Sequence, residues 1–106
     1  MENTEKFELS PEEFGEMFKT TPGAILLDVR TPQEYAEGHL PGALNIDIYN
    51  PSFGVEIEDL DKGNTYFVYC KAGGRSKMAG EIMKKEGFTD VHHLRGGINA
   101  WNGAVE

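Results

Sequence analysis

Apolar residues along the chain fall into two kinds of pattern that alternate with each other. Short, nearly continuous apolar runs are typical of strands, and the run at residues 24–29 has the character of a strand buried on both faces. The predicted strands are residues 7–9, 24–29, 43–46, 66–69 and 91–94. Helix-type patterns separate several of these runs. The alternation predicts an α/β fold with a mostly parallel sheet.

Two similar tetrapeptides predict helix starts. Ser10-Pro11-Glu12-Glu13 and Thr31-Pro32-Gln33-Glu34 each combine a capping hydroxyl, a proline in the first turn and a glutamate three residues after the cap. The second tetrapeptide predicts a short helix over residues 33–37 that ends at Gly38. The first predicts a helix whose buried face carries apolar residues at helical spacing, namely Phe14, Met17 and Phe18.

The remaining pattern predicts one long helix and one short one. The long helix covers residues 76–86, and Ser76 is its predicted N-cap. A turn at Gly96-Gly97 leads into a short closing helix that carries Trp101. Residues 47–64 show the weakest pattern, with a helical turn expected near Leu60.

Length and charge limit the classes of function. The 106 residues suit one domain, predicted over residues 1–106 with its core at roughly 5–103. A net charge of −8 is unsuited to phosphate backbones, so we expect no nucleic-acid partner. No apolar run is long enough to cross a membrane, and the polar start lacks a secretory signal. We therefore expect a cytoplasmic monomer with no membrane partner.

The single cysteine limits the chemistry further. Cys70 cannot form an internal disulfide, and no zinc site with two or more thiolates is available. His92 and His93 are adjacent on a predicted strand and so point to opposite faces. With His39 as the remaining histidine, we expect neither a metal nor a cofactor.

The loop at residues 70–76 combines three features of an anion-binding site. Cys70 stands where a predicted strand ends and a helix begins, so free backbone N–H groups can stabilise its thiolate. Gly73 and Gly74 allow the loop to form a nest of inward-facing amides. Lys71 and Arg75 make the helix start basic, which opposes the helix dipole and indicates a functional site. Each feature alone has a plainer interpretation, such as a small buried cysteine or an ordinary turn.

Three motifs in this chain resemble those of the rhodanese family. Cys70 opens a six-residue loop that ends at Arg75, as in the family's active-site loop. Residues 27–35 and 38–46 (LDVRTPQEY and GHLPGALNI) resemble its N-terminal signature. Residues 87–91 and 94–101 (GFTDV and LRGGINAW) resemble its C-terminal signature. The resemblance covers roughly residues 24–101, in the family's order and spacing.

The resemblance implies a single-domain sulfurtransferase with a rhodanese-like, five-stranded, mostly parallel sheet flanked by helices on both faces. Cys70 would be the catalytic nucleophile. It would take sulfur from a small anionic donor such as thiosulfate, carry it as a persulfide and pass it to cyanide or a thiol. The implied substrate-binding residues are Lys71, Ala72, Gly73, Gly74, Arg75 and Ser76. A thiolate already ionised near neutral pH requires no general base.

Several of these residues have two interpretations. Arg75 either binds the donor anion or pairs with a surface carboxylate. Lys71 either attracts the donor or faces solvent. Asp28 and Arg30 either brace the active loop or pair with each other. His39 is interpreted as a turn histidine bonded to backbone.

Three other functions remain open at the level of sequence. A cysteine phosphatase or arsenate reductase also uses Cys, backbone amides and Arg, but its loop has five residues between Cys and Arg whereas this one has four. The shorter loop predicts no phosphatase activity. A non-catalytic rhodanese-like interaction module is disfavoured because Cys70 is retained. A sulfur relay to a basic partner protein is compatible with the acidic charge.

Overall fold

The computed structural model describes residues 6–106, so residues 1–5 of the predicted domain lie outside it. The strands are β1 (Glu8–Leu9), β2 (Ile25–Asp28), β3 (Leu44–Asn45), β4 (Thr65–Tyr69) and β5 (Asp90–Leu94). The helices are α1 (Pro11–Thr20), α2 (Pro32–Glu37), α3 (Phe53–Glu58) and α4 (Gly74–Lys85), followed by a 3-10 helix at Ile98–Ala100.

One sheet joins all five described strands in the order β1-β5-β4-β2-β3. Every pair of neighbours is parallel. Parallel strands require crossover connections, which the helices supply. Two of the three inner strands, β4 and β2, are almost entirely buried, as their continuous apolar sequences predict.

Each face of the sheet is covered by its own layer of helices. On one face Phe53 and Ile57 of α3 and Ala79 and Met83 of α4 pack on the sheet. On the other face Phe14 of α1 lies in a second cluster, with Tyr35 of α2 and Trp101 packed against it. The predicted α/β fold, with helices on both faces of a five-stranded sheet, is confirmed, and the sheet is parallel throughout.

The predicted capping signals operate in α1 and α2. Ser10 and Thr31 each accept a hydrogen bond from the backbone N–H three residues later, and Glu13 and Glu34 bond back to the cap residue's N–H. Both motifs satisfy amides that would otherwise lack partners at the helix start. The predicted helix starts at these two positions are therefore confirmed.

Three predictions from sequence are wrong in detail. In residues 47–64 the sequence predicted only a helical turn near Leu60, whereas the structure has the short helix α3, which ends before Leu60. Helix α4 begins at Gly74 and its N-cap is Gly73, so Ser76 lies inside the first turn and is not the cap. Trp101 follows the 3-10 helix and is not part of it.

The sheet register brings β2 and β4 to the same edge at their carboxyl ends. Asp28 is paired with Tyr69, the residue that precedes Cys70. Reactive groups in open α/β sheets gather at this edge, just past the strands. None of the helices among residues 6–106 is long and apolar enough to cross a membrane.

Candidate active site

Cys70 follows directly after β4, and its sulfur lies under the turn that opens α4. The Sγ atom accepts hydrogen bonds from the backbone N–H of Gly73 at 3.0 Å and of Ser76 at 3.3 Å. The Ser76 hydroxyl oxygen lies 3.6 Å from the same sulfur. Only 1% of the Cys70 surface is exposed. The loop therefore encloses the sulfur with polar donors although the residue itself is buried.

The pKa of Cys70 reflects two opposing effects. Burial raises the pKa of the thiol, because a buried thiolate loses its hydration. Hydrogen bonds from the Ser76 side chain and from the backbone of Ser76, Gly73 and Ala72 lower it. The hydrogen bonds outweigh burial, so the pKa of Cys70 lies below that of a free cysteine. The site thus favours the thiolate, which is the nucleophilic form.

The glycines at the two ends of this arrangement have different tasks. Gly73 has φ +114°, a conformation in which its N–H turns toward the sulfur as α4 begins. Gly97 has φ +62°, and a Cβ there would lie 2.3 Å from the carbonyl oxygen of Lys71. That close approach lets Ile98 N–H donate to the Cys70 carbonyl and Asn99 N–H to the Lys71 carbonyl. The segment after β5 therefore fixes the start of the cysteine loop.

Arg75 forms an ion pair with Glu34 of α2. Its two terminal nitrogens donate to the two oxygens of Glu34 at 2.7 and 3.0 Å. The guanidinium also lies 5.6 Å from the ring centroid of Tyr49, which is largely exposed. The hydrogen bonds from Arg75 lower the pKa of Glu34 to about 2 although partial burial opposes this. The structure thus shows the carboxylate pairing, one of the two interpretations of Arg75.

The other loop residues predicted to bind substrate lie around the sulfur at different depths. Lys71, Ala72 and Gly74 are exposed, and Gly73 is partly buried. Lys71 also borders a cavity of about 340 Å³ shared with Glu34 and Asn99. Ser76 is fully buried beneath them. The loop therefore presents Lys71 as an accessible cation, while Ser76 faces inward.

Asp28 and Arg30 form a buried pair beside the loop. Arg30 donates to the Asp28 carboxylate through Nε and Nη2, with a shortest distance of 2.7 Å, and Nη2 also donates to the Gly38 carbonyl. Tyr69 donates its hydroxyl proton to the same carboxylate at 2.8 Å. Burial, reinforced by Asp28, raises the pKa of Tyr69. Asp28 and Arg30 therefore pair with each other, which is one of the two interpretations given above. Asp28 also anchors Tyr69, the residue before Cys70.

Three residues near the loop were not identified from sequence. Glu34 reaches Arg75 across 41 positions of the chain. His93 on β5 lies 3.2 Å from the Ser76 hydroxyl, and Gly97 contacts the loop backbone. For Gly97 the Gly96-Gly97 pair was a usable signal, since glycine is favoured where two backbones approach closely. His39, interpreted as a turn histidine, indeed contacts the Tyr35 carbonyl through Nδ1 at 2.9 Å.

Groups of metal-ligating side chains large enough to hold an ion are absent from residues 6–106. A cavity of about 560 Å³ lies between α1 and Trp101, and no residue of the cysteine loop lines it.

Comparison with known proteins identifies the class to which this fold and loop belong. A family model of the rhodanese-like domain matches residues 10–104, nearly the whole chain. The chain belongs to the rhodanese-like domain family. This confirms the family that the three sequence motifs resemble.

Curated relatives connect the family to sulfur chemistry. A sulfurtransferase from Allochromatium vinosum is 32% identical over 94 residues, covering 89% of this chain and 86% of that protein. The thiosulfate sulfurtransferase GlpE of Pseudomonas putida is 31% identical over 96 residues, covering 91% and 86%. The putative sulfur carrier protein YrkF of Bacillus subtilis is 34% identical over 101 residues, covering 93% of this chain but 52% of YrkF. These relatives support sulfur transfer as the general activity.

Solved structures agree with the architecture. A rhodanese-related protein from Thermoplasma volcanium superposes with a TM-score of 0.82 at 26% identity, covering 94% of this chain and 97% of that one. A rhodanese-like domain protein from Staphylococcus aureus gives the same TM-score at 25% identity. Both similarities cover 94% of this chain.

Proposed function

We propose that this protein is a cytoplasmic sulfurtransferase that carries sulfur as a persulfide on Cys70. The observation that carries the proposal is the environment of the Cys70 sulfur, which accepts hydrogen bonds from two backbone amides and lies beside one hydroxyl. Such an arrangement stabilises an anion on sulfur, and both the thiolate and the persulfide are anions. Relatives named as sulfurtransferases support the same chemistry.

The proposed reaction has two displacement steps. The Cys70 thiolate attacks the outer sulfur of thiosulfate, a sulfur–sulfur bond forms, and sulfite leaves with the electron pair of the broken bond. The persulfide then gives its outer sulfur to cyanide or a thiolate acceptor, and Cys70 is regenerated as the thiolate. Charge is conserved in each step and no oxidant is required. Two half-reactions through a covalent intermediate are ping-pong catalysis.

Loop groups serve different parts of this reaction. The amides of Gly73 and Ser76 stabilise the negative charge on the Cys70 sulfur while it is a thiolate, before sulfur is taken up and after it is given away. Lys71, exposed at the rim, attracts the dianionic donor as a point charge. Arg75 interacts favourably with the negative charge of Cys70 even while it is paired with Glu34. With four residues between Cys70 and Arg75, the loop favours a linear sulfur chain over a tetrahedral phosphate.

Mass spectrometry of the intact protein tests the covalent intermediate. After reduction and exposure to thiosulfate, we expect an adduct of about 32 Da, the mass of one sulfur, on Cys70. Addition of cyanide should remove the adduct and release thiocyanate. If the folded, reduced protein never acquires the adduct from thiosulfate or from another donor of sulfane sulfur, the result would instead support a non-catalytic interaction module.

Two matched variants test the role of Arg75. Arg75→Gln and Glu34→Gln both remove the ion pair, but only the first removes the positive charge beside the loop. We expect Arg75→Gln to raise the KM for thiosulfate about tenfold, the loss of roughly one charge-assisted hydrogen bond. Glu34→Gln should leave that KM unchanged or lower it, because the Arg75 fork becomes free.

The stability of the same two variants provides the control. Because each variant removes the same ion pair between Arg75 and Glu34, we expect both variants to unfold at similar urea concentrations. Because folding lowers the pKa of Glu34 from 4.5 to about 2, the stability that the pair contributes is complete at neutral pH and is lost as the pH falls from about 4.5 to about 2. An equal rise in KM for both variants would show that Arg75 contributes only through the pair and does not bind the donor.

The physiological acceptor can also be a protein. The net charge of −8 favours a basic partner, and YrkF is named as a sulfur carrier. In that case the outer sulfur of the Cys70 persulfide would pass to a cysteine thiolate of the partner, and Cys70 would leave as the thiolate. Transfer to a protein thiol uses the same loop and the same intermediate.

A further inference from the structure

A line of polar side chains leads from Cys70 past His93, near the carboxyl end of β5, to Glu8 on the edge strand β1. The Ser76 hydroxyl lies 3.6 Å from the Cys70 sulfur and 3.2 Å from Nδ1 of His93. Nε2 of His93 lies 3.4 Å from a carboxylate oxygen of Glu8 on β1. The sulfur is thus connected to a carboxylate that is half exposed, through one hydroxyl and one imidazole.

His93 is held in this line by apolar packing. Only 2% of its surface is exposed, and its ring lies 4.7 Å from that of Phe7. Among residues 6–106, no group makes a hydrogen bond of good geometry to Nε2, although Glu8 is close. A buried imidazole nitrogen without a partner is unusual in a folded protein and requires an explanation.

The burial of Cys70 explains why a chain of hydrogen-bonding side chains beside its sulfur would be useful for moving the thiol proton. Its sulfur is almost fully covered, so the thiol has little direct contact with bulk water. The Ser76 hydroxyl has one proton and three acceptors within reach: the Cys70 sulfur, the Gly73 carbonyl at 3.2 Å and Nδ1 of His93. Which acceptor it chooses depends on whether Nδ1 of His93 accepts or donates a hydrogen bond.

We propose that His93 is a positioning residue that takes up the Cys70 proton through Ser76 and stabilises the thiolate as an imidazolium. The Cys70 thiol gives its proton to the Ser76 oxygen as Ser76 gives its own proton to Nδ1 of His93. Nδ1 then donates to Ser76, Ser76 donates to the thiolate, and Nε2–H faces Glu8. One proton moves and none is lost. The value of this ionisation for catalysis rests on the proposed sulfurtransferase function.

The charges around His93 suit such an exchange. Glu8 faces it from β1, while Lys77 and Glu81 face it from α4. Burial lowers the pKa of His93 below its ordinary value, an effect that Glu8 partly opposes. Burial thus favours the neutral imidazole, whose Nδ1 can accept a proton from Ser76, and Glu8 favours the imidazolium that results.

The rate of Cys70 alkylation by iodoacetamide, measured against pH, tests the proposal. In His93→Asn the amide can still hydrogen-bond to Ser76 but cannot take up a proton. We expect the apparent pKa of Cys70 to rise by about one unit, so alkylation at neutral pH slows roughly tenfold. A smaller slowing is expected in Glu8→Gln, which changes an exposed side chain and should not affect folding. An unchanged pKa in folded His93→Asn overturns the proposal.

A matched control comes from the adjacent residue. His92 is also buried on β5 but points to the other face, where it contacts the Lys6 carbonyl and Asp90. His92→Asn should leave the pKa of Cys70 unchanged. If this variant raises the pKa as much as His93→Asn does, the effect arises from disturbance of β5 and the proposal fails.

A second measurement does not require any change to His93. If the thiolate and the imidazolium stabilise each other, the coupling free energy is the same from either side. Removal of the thiolate must therefore lower the pKa of His93 by as much as loss of the imidazolium raises the pKa of Cys70. We expect NMR titration of His93, carried out where Cys70 of the wild type is a thiolate, to give a lower pKa for His93 in Cys70→Ala than in the wild type. Equal values would overturn the proposal even if His93→Asn does not fold. Sulfur loading by thiosulfate is scored separately, so failure of the relay and failure of the sulfurtransferase function give different results.

Discussion

Replacing Cys70 with Ala or Ser should abolish sulfur transfer from thiosulfate to cyanide. The reaction proposed here passes through a covalent bond to this sulfur, and the chain has no second cysteine to substitute for it. Removal of a covalent nucleophile typically lowers turnover by at least about three orders of magnitude. We therefore expect thiocyanate production at the level of the uncatalysed reaction in both variants, measured by a colorimetric assay under conditions that saturate the wild type.

The two substitutions control for each other. Ala leaves a small void under the loop, whereas Ser keeps an acceptor for the amides of Gly73 and Ser76 but cannot form a persulfide. Both variants should unfold within about 1 kcal/mol of the wild type, because few atoms are removed from the core. Measurable turnover in a folded Cys70→Ser protein would mean that the sulfur is carried elsewhere or not carried covalently.

The fold could be predicted largely because its strands are short apolar runs with clear limits. The run that became β4 is buried at almost every position, and the capping tetrapeptides of α1 and α2 have no good alternative structure. Helix α3 escaped prediction because it has six residues and only two buried positions, Phe53 and Ile57. Two apolar residues four apart are too few to establish a helical period.

The start of α4 was placed too late for a physical reason. Ser at position 76 suits an N-cap by its chemistry, but the Gly73 backbone at φ +114° allows the helix to begin at Gly74. The Ser76 amide, which a capping side chain would satisfy, donates to the Cys70 sulfur instead, as does the amide of Gly73 itself. The Cys70 sulfur therefore takes the place of a capping side chain. Rules for helix starts, which look for a polar side chain at the N-cap, do not predict this.

The candidate site was only partly visible in the sequence. The loop around Cys70 could be recognised because its basic residues contradict the preference for acids at a helix start. Its supporting contacts could not, because they join distant parts of the chain: Glu34 to Arg75, and Tyr69 to Asp28. His93 was also missed, since a histidine in an apolar strand gives no sign of which face it occupies.

The buried pair beside the loop should have the largest effect on stability. In Asp28→Asn the Arg30 guanidinium, which is 5% exposed, would lose its carboxylate while remaining inside the protein. An uncompensated buried charge costs about 3–5 kcal/mol, so we expect urea unfolding to show a loss of this size. Tyr69 would also lose its acceptor, which loosens the end of β4 just before Cys70.

The double variant Asp28→Asn, Arg30→Met separates the charge from the packing. Because Met fills part of the space of the arginine stem without its charge, it should restore much of the free energy of unfolding lost in Asp28→Asn. A double variant no more stable than the single one would show that Asp28 acts mainly through the Tyr69 hydroxyl. In that case Tyr69→Phe should reproduce the loss, although it leaves Asp28 and Arg30 paired. If Asp28→Asn is as stable as the wild type, the pair does not anchor this edge of the sheet, and the position of Cys70 depends on the glycine-supported loop alone.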